Sequence, residues 1–157
     1  METPGRIRWQ ILNTGDDSKI IIIRLITGLI FLSEGILKFK LMQWLGPGRF
    51  ADIGFENAQF WAYFTGTFEI VCAFLILIGL FTRVASIPLL IIMIVAFITT
   101  KIPLLYEKGF WTFAHAYTTD FSLTFLLILL IIYGAGRWSA DLKMVQAVKT
   151  GNYQERF

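Results

Sequence analysis

Long apolar blocks alternate with short polar segments along this chain. The four blocks are Ile20–Phe39, Phe60–Phe81, Val84–Thr100 and a fourth that ends at Tyr133. A helix that spans a membrane needs about 20 apolar residues, with a range of about 17–25. The fourth block is free of charge only from Phe121, so it reaches that length only if it begins near His115. The pattern therefore predicts membrane spans over residues 20–39, 60–81, 84–101 and 115–133.

The composition indicates that lipid is the solvent of this protein. Of its 157 residues, 56% are hydrophobic and only 16% are charged, against about 25% charged in an ordinary soluble domain. The first apolar block is too long for the core of a signal peptide. The polar tails at 1–19 and 138–157 leave no room for a second domain. We predict one domain over residues 1–157, an all-α membrane protein with four transmembrane helices in a bundle.

The basic residues predict the orientation of this bundle. With four spans, both termini lie on one side, and that side carries nine of the 14 lysines and arginines. Cytoplasmic segments are enriched in these residues, so we expect cytoplasmic termini, outer loops at 40–59 and 101–117, and a location in the bacterial cytoplasmic (inner) membrane. The net charge of +3 is explained by arginines at the lipid surface and indicates no nucleic-acid partner.

Three acids inside the predicted spans, Glu34, Glu69 and Asp120, are the strongest clue to function. Charged groups in a span are energetically expensive, and they usually face the bundle interior, find partners and carry function. Helix rise places Glu69 about 14 Å below the outer end of its span. We expect an outer polar pocket centred on Glu69, with Lys38 as its counter-charge. The candidate catalytic residues are Glu69, Glu34, Asp120 and His115.

Several of these residues also have a purely structural interpretation. Lys38, Lys101, His115 and Asp120 stand near helix ends, where they could simply face the lipid headgroups. Glu34 lies four residues before Lys38, so an ion pair within one helix could lock helix packing. Arg24 lies about one turn inside its span, and we expect its side chain to extend along the helix to the cytoplasmic surface of the membrane.

The two outer loops are rich in aromatic residues. Aromatic side chains commonly anchor a protein at the membrane interface, but above charged helix ends they would also suit a pocket for a flat amphipathic ligand. The candidate ligand-binding residues are Lys38, Lys101, Trp44 and Trp111. The small residues Gly28, Gly35, Gly66 and Ala73 predict close approach of the first two spans. Ser139 is placed to cap a short tail helix.

Three sequence motifs resemble the DoxX family. They are Arg24–Phe31 with Gly35-Ile36-Leu37-Lys38, Glu69 with Gly79-Leu80-Phe81-Thr82-Arg83, and Gly134-Ala135-Gly136-Arg137-Trp138-Ser139-Ala140-Asp141. The resemblance covers roughly residues 20–141 and implies a small four-helix membrane protein. It also implies a link to redox systems, because some relatives are oxidoreductase subunits that pass electrons to quinone. Glu34, His115 and Asp120 lie outside the family pattern. The shared Gly-to-Arg endings of the second and fourth spans indicate a duplicated helical hairpin.

Three hypotheses follow. The first is a quinone-interacting redox subunit, in which carboxylates relay protons. Cys72 and His115 are the sole residues of their types, so the chain offers no ligand set for a bis-histidine haem or an iron–sulfur cluster. It also has no glycine-rich nicotinamide fingerprint. Electrons would come from a partner subunit or a reduced substrate.

The second hypothesis is a non-catalytic membrane protein: a small-molecule binder, a carrier or an assembly factor, acting with a partner or as a homo-oligomer. A metal site built from His115, Asp120, Glu34 and Glu69 is a third possibility. It is the weakest of the three, because structural zinc prefers thiolate and imidazole ligands.

Overall fold

The structure is a computed structural model that describes residues 18–146, and within that range it is helical without strands. Its elements are α1 (Ile20–Lys40), the short α2 (Pro47–Asp52), α3 (Ala58–Ile78), α4 (Thr82–Ala96), a π-helical turn (Phe97–Lys101) and α5 (Ile102–Tyr133). A further helical segment begins at residue 140 and continues to residue 146. The prediction of an all-α protein is therefore confirmed.

Glycines end the two helices whose closing motifs resemble each other. Gly79 follows α3 with φ 71° and Gly134 follows α5 with φ 79°. Positive φ is readily adopted only by glycine, and such a residue commonly closes a helix. The chain then reverses sharply, because α4 begins at Thr82, three residues after Gly79.

In the described part of the chain, residues 18–146, three stretches of helix are long and apolar enough to cross a membrane: Ile20–Lys40, Ala58–Ile78 and Thr82–Tyr133. The third contains 52 residues and includes α4, the π-helical turn and α5. At 1.5 Å per residue a straight helix of that length would extend about 78 Å, more than twice the hydrocarbon core of a bilayer, which is about 30 Å thick.

The third stretch folds back on itself. The Arg83 guanidinium donates a hydrogen bond to the Ile132 carbonyl at 3.0 Å, and the Phe97 and Tyr117 ring centroids are 4.9 Å apart. The reversal includes Gly109, whose φ of 78° and ψ of 172° interrupt α5. The helix α4 and the part of α5 after Gly109 therefore run antiparallel.

The predicted outer loop at 101–117 is wrong in its conformation, because these residues are helical except at Gly109. Hydropathy shows where apolar runs end, but a helix continues wherever helix-forming residues allow it. Pro103 lies just after the π-helical turn, so the helix continues through a residue that cannot donate a backbone hydrogen bond. Between α1 and α3, Pro47 begins the short helix α2.

The helices contact each other through small residues, and large apolar side chains lie on the outside of the bundle. A side chain at Gly28 would meet the Leu77 side chain at 2.6 Å, so the predicted close approach of α1 and α3 is confirmed. Large apolar residues such as Ile22 and Phe74 are 59% and 58% exposed. Continuous apolar surface of this kind suits a lipid environment.

Candidate functional site

A buried ion pair joins α1 to α3. The Lys38 ammonium lies 2.5 Å from Oε2 of Glu69, and their side chains are 13% and 4% exposed. The prediction that Lys38 is the counter-charge of Glu69 is confirmed. A buried acid without this partner would be strongly unfavourable, so the two residues must be considered as one unit.

Two glycines bring the pair together. A Cβ atom added to Gly35 would lie 2.9 Å from the Gly66 carbonyl oxygen and 3.1 Å from Cβ of Glu69. The α1 backbone therefore lies directly against α3 one turn before Lys38. From there the lysine side chain extends into the bundle and bonds to Glu69.

Glu34 is half-buried on α1 and close enough to Glu69 to interact with it electrostatically. The alternative interpretation of Glu34, an ion pair with Lys38 within α1, is wrong, since Lys38 bonds to Glu69 and not to Glu34. The more deeply buried acid has less access to water, and it therefore gains more from the shared cation.

A second ion pair joins the π-helical turn to α5. The Lys101 ammonium lies 3.0 Å from Oδ2 of Asp120 and also donates to the Ala116 carbonyl at 2.7 Å. Lys38 is thus paired with Glu69, and Lys101 with Asp120. In place of the expected single cluster, the structure shows two lysine–acid pairs.

The other predicted site residues lie outside both pairs. His115 is exposed, and Trp44 and Trp111 are 79% and 84% exposed. The residues of α5 that are buried in the bundle are Leu123, Leu127 and Leu130, which lie at least eight residues after His115. The structure therefore does not bring His115 to Glu69. Among residues 18–146, no group of three or more His, Cys, Asp or Glu residues could hold a metal ion.

An aromatic groove of about 320 Å³ lies on α3 and is lined by Phe60, Tyr63, Phe64, Thr67 and Phe68. The Phe64 and Phe68 rings are 4.7 Å apart. Phe64 and Phe60 precede Glu69 by five and nine residues. At these spacings two side chains point to roughly opposite sides of an α-helix, so both rings lie on the side of α3 away from Glu69. The groove therefore faces outward and is not the pocket expected around Glu69.

At the other end of the bundle, Arg24 forms a buried hub. Its guanidinium donates hydrogen bonds to the carbonyls of Ile76, Leu77, Ala135 and Trp138 at 2.6–3.0 Å. The residue is 2% exposed, so the expectation that it reaches the membrane surface is wrong. Carbonyls in the last turn of a helix have no partner within the helix, and Arg24 satisfies two of them on α3.

Asp141 completes this hub by capping the start of α4. Its carboxylate accepts hydrogen bonds from the amides of Phe81 at 2.8 Å and Thr82 at 3.2 Å. Burial raises the pKa of the Asp141 carboxyl, while these amides and the Arg24 guanidinium act in the opposite direction. Hydropathy gave no sign of this hub, although Arg24 and Asp141 both belong to the motifs that resemble a family.

The predicted tail-helix cap is confirmed. Ser139 accepts a hydrogen bond from the Leu142 amide at 3.2 Å and donates one to the Gly136 carbonyl at 2.7 Å. The Asp141 amide also donates to the Gly79 carbonyl at 2.9 Å. The segment after α5 is thus fixed against the ends of α1, α3 and α4.

Comparisons with known proteins agree with this picture of a membrane protein. The chain is 47% identical over 141 residues to the uncharacterized membrane protein Rv3486 of Mycobacterium tuberculosis, a match that covers 86% of each chain. It is 28% identical over 144 residues to a Bacillus subtilis protein named "Putative oxidoreductase CatD", covering 90% of this chain and 98% of that protein. No solved structure matches significantly. Since the DoxX family model matches residues 20–102, more than half of the sequence, the chain belongs to the DoxX family.

Proposed function

We propose that this protein is the membrane subunit of a quinone-linked oxidoreductase, with Glu69 as its proton-handling carboxylate. The observation that carries the proposal is the buried pair of Lys38 and Glu69, held on adjacent helices by a glycine contact. Ionisable groups inside a membrane bundle commonly mark proton or substrate pathways. The relative with an oxidoreductase name supports the same class of function.

The chemistry needs both members of this pair. Reduction of a quinone to a quinol consumes two electrons and two protons, and a positioned carboxylic acid can supply a proton while its carboxylate takes one back. The Lys38 ammonium balances the charge of Glu69 as the proton leaves. Glu34, close to Glu69 and half-buried, offers a second carboxylate toward the outer end of α1. Electrons come from a partner subunit or directly from a reduced substrate.

The proposal includes a topology. The antiparallel course of α4 and α5 supports two crossings by the third apolar stretch, and hence four spans in total. The hub around Arg24 gathers the start of α1, the end of α3 and the segment after α5 at one end of the bundle. We place that end and both termini in the cytoplasm, because it is richer in basic residues. The membrane is the bacterial cytoplasmic membrane.

A non-catalytic role is the second candidate, and one observation favours it. Glu69 is only 3% exposed and already bonded to Lys38, which suits an ion pair that fixes helix packing. In that case the protein would bind a small molecule, act as a carrier, or help to assemble a redox complex, and the pair would serve only stability.

Membranes that carry single substitutions test the redox proposal. Glu69→Gln keeps the size of the side chain but cannot exchange a proton, so we expect membranes with this variant to lose the part of decylubiquinone reduction that depends on this protein. Glu56→Gln, at an exposed position before α3, is the matched control and should leave the rate unchanged. Undiminished reduction with Glu69→Gln would contradict the proposal. Mass spectrometry of gently solubilised protein would identify bound quinone and companion subunits.

A further inference from the structure

The two helix pairs of the bundle repeat one arrangement of charges. In the first pair, Arg24 near the start of α1 donates to carbonyls just before Gly79, and Lys38 near the end of α1 bonds to Glu69 on α3. In the second pair, Arg83 at the start of α4 donates to a carbonyl just before Gly134. Lys101 at the end of the π-helical turn then bonds to Asp120 on α5.

Asp120 is therefore the structural counterpart of Glu69, and Lys101 is that of Lys38. This equivalence extends the duplicated hairpin that the shared Gly-to-Arg endings indicate. The two pairs differ in exposure, since the side chain of Asp120 is 25% exposed while that of Glu69 is 4% exposed. The same kind of ion pair is thus closed in the first hairpin and open in the second.

Aromatic rings lie one helical turn before each member of the open pair, Phe97 before Lys101 and Tyr117 before Asp120. The ring of Phe97, in the same π-helical turn as Lys101, lies 4.9 Å from that of Tyr117 and 6.2 Å from that of Phe113. The Phe113 and Tyr117 rings are stacked 5.5 Å apart. Helical periodicity puts Phe113, Tyr117 and Asp120 on one side of α5, facing α4. A π-helical turn inside an α-helix is often found at a functional site.

The hydrogen-bonding groups of the open pair match a ring with oxygen substituents. Lys101 has three N–H donors, of which the Asp120 carboxylate and the Ala116 carbonyl use two. One donor remains for a ligand carbonyl, and the carboxylate can accept from a ligand hydroxyl. Flat rings add stacking against Phe97 and Tyr117, which is favourable in offset or edge-to-face geometry.

We infer that Lys101, Asp120 and the rings of Phe97, Phe113 and Tyr117 form the subsite that binds the quinone or quinol headgroup. The inference rests on the proposed redox function and adds to it the place where the ring binds. It assigns different tasks to the two hairpins: the open pair of Lys101 and Asp120 holds the ring, with the Asp120 carboxyl exchanging protons with the ring oxygen, and the buried pair of Lys38 and Glu69 supplies protons to that carboxyl.

Photolabelling of the full chain in lipid nanodiscs tests this subsite. The probe is a short-chain benzoquinone carrying an azide, and digestion followed by mass spectrometry locates the label. We expect the label in the peptides that contain residues 97–101 and 113–121. Excess unlabelled quinone should suppress this labelling by competing for the subsite. Asp120→Asn should weaken labelling there by about tenfold or more, because a hydrogen bond to a charged group is lost. Asp120→Glu should restore much of it.

A second variant keeps the test decisive if Asp120→Asn fails to fold. Tyr117→Leu removes one ring and should weaken labelling about three- to tenfold, the range of an aromatic contact. Its matched control is Phe64→Leu on the outward groove of α3, which should change labelling by less than about twofold by the same reasoning. Competed label confined to other peptides, or unaffected by both α5 variants, would overturn the subsite and leave the redox proposal standing. Absence of any competed label would overturn both.

Discussion

At the scale of single residues, the pair of Lys38 and Glu69 is where stability and function meet. Replacing Lys38 with methionine removes the partner of an acid that is 3% exposed. Breaking one member of a buried ion pair is more harmful than replacing both, because the remaining charge is left without compensation.

We therefore expect Lys38→Met to lower the free energy of unfolding by about 3–5 kcal/mol, measured by denaturant titration in detergent micelles. The matched control is Lys40→Met, an exposed lysine at the end of α1, which should change stability by no more than about 0.5 kcal/mol. Equal loss in both variants would show that Glu69 does not depend on Lys38.

The partnership of Lys38 with Glu69 could be predicted from the sequence, and the burial of Arg24 could not. Glu69 had no opposite charge in its own helix, so a lysine at similar depth was the natural partner. Arg24 instead bonds to backbone carbonyls, and every residue has a carbonyl. Which carbonyls lack partners depends on where helices end in space, and a pattern of side chains does not contain that information.

At the scale of helices, close contact between α1 and α3 depends on glycine. Gly35→Ala places a methyl group 2.9 Å from the Gly66 carbonyl oxygen, a backbone atom that cannot move aside alone. We expect the helices to separate and the free energy of unfolding to fall by about 1–3 kcal/mol. Ser33→Ala, on the exposed side of α1, is the control. Unchanged thermal unfolding of Gly35→Ala would contradict the close contact.

The cap supplied by Asp141 gives a prediction about the other end of the bundle. Asp141→Ala removes the acceptor for the amides of Phe81 and Thr82, and loss of such a cap typically costs about 0.5–2 kcal/mol. Thermal unfolding in micelles measures the effect, with the exposed Asp52→Ala as control. A stability equal to that of the control would show that α4 does not need this cap.

Helices themselves were predictable wherever apolar runs were long, and less so elsewhere. The periodic apolar blocks placed α1, α3 and α4 within a few residues. The charged and aromatic character of residues 101–117 predicts a loop between two spans, yet such residues form helix as readily as apolar ones once a neighbouring helix packs against them. The fold-back at Gly109 depends on one glycine, and a single glycine is a weak signal.

At the scale of the whole molecule, the proposed four-span topology predicts which positions face each side of the membrane. Cys72→Ala provides a background without cysteine. Single cysteines at Glu56 and Glu107 should then react in intact cells with a maleimide that cannot cross the membrane. A cysteine at Lys143 should react only after the membrane is opened. Labelling of Lys143→Cys in intact cells would contradict cytoplasmic termini.

The central claim is that the pair of Lys38 and Glu69 performs chemistry in addition to holding two helices together. The double variant Lys38→Met, Glu69→Met separates these roles, since apolar side chains of similar size can replace a buried ion pair with little loss of stability. The deciding measurement is the rate of decylubiquinone reduction by membranes containing this variant, per amount of folded protein. We predict that the double variant is stable but that its membranes lack the decylubiquinone reduction that the wild-type protein supports. A wild-type rate would contradict the account.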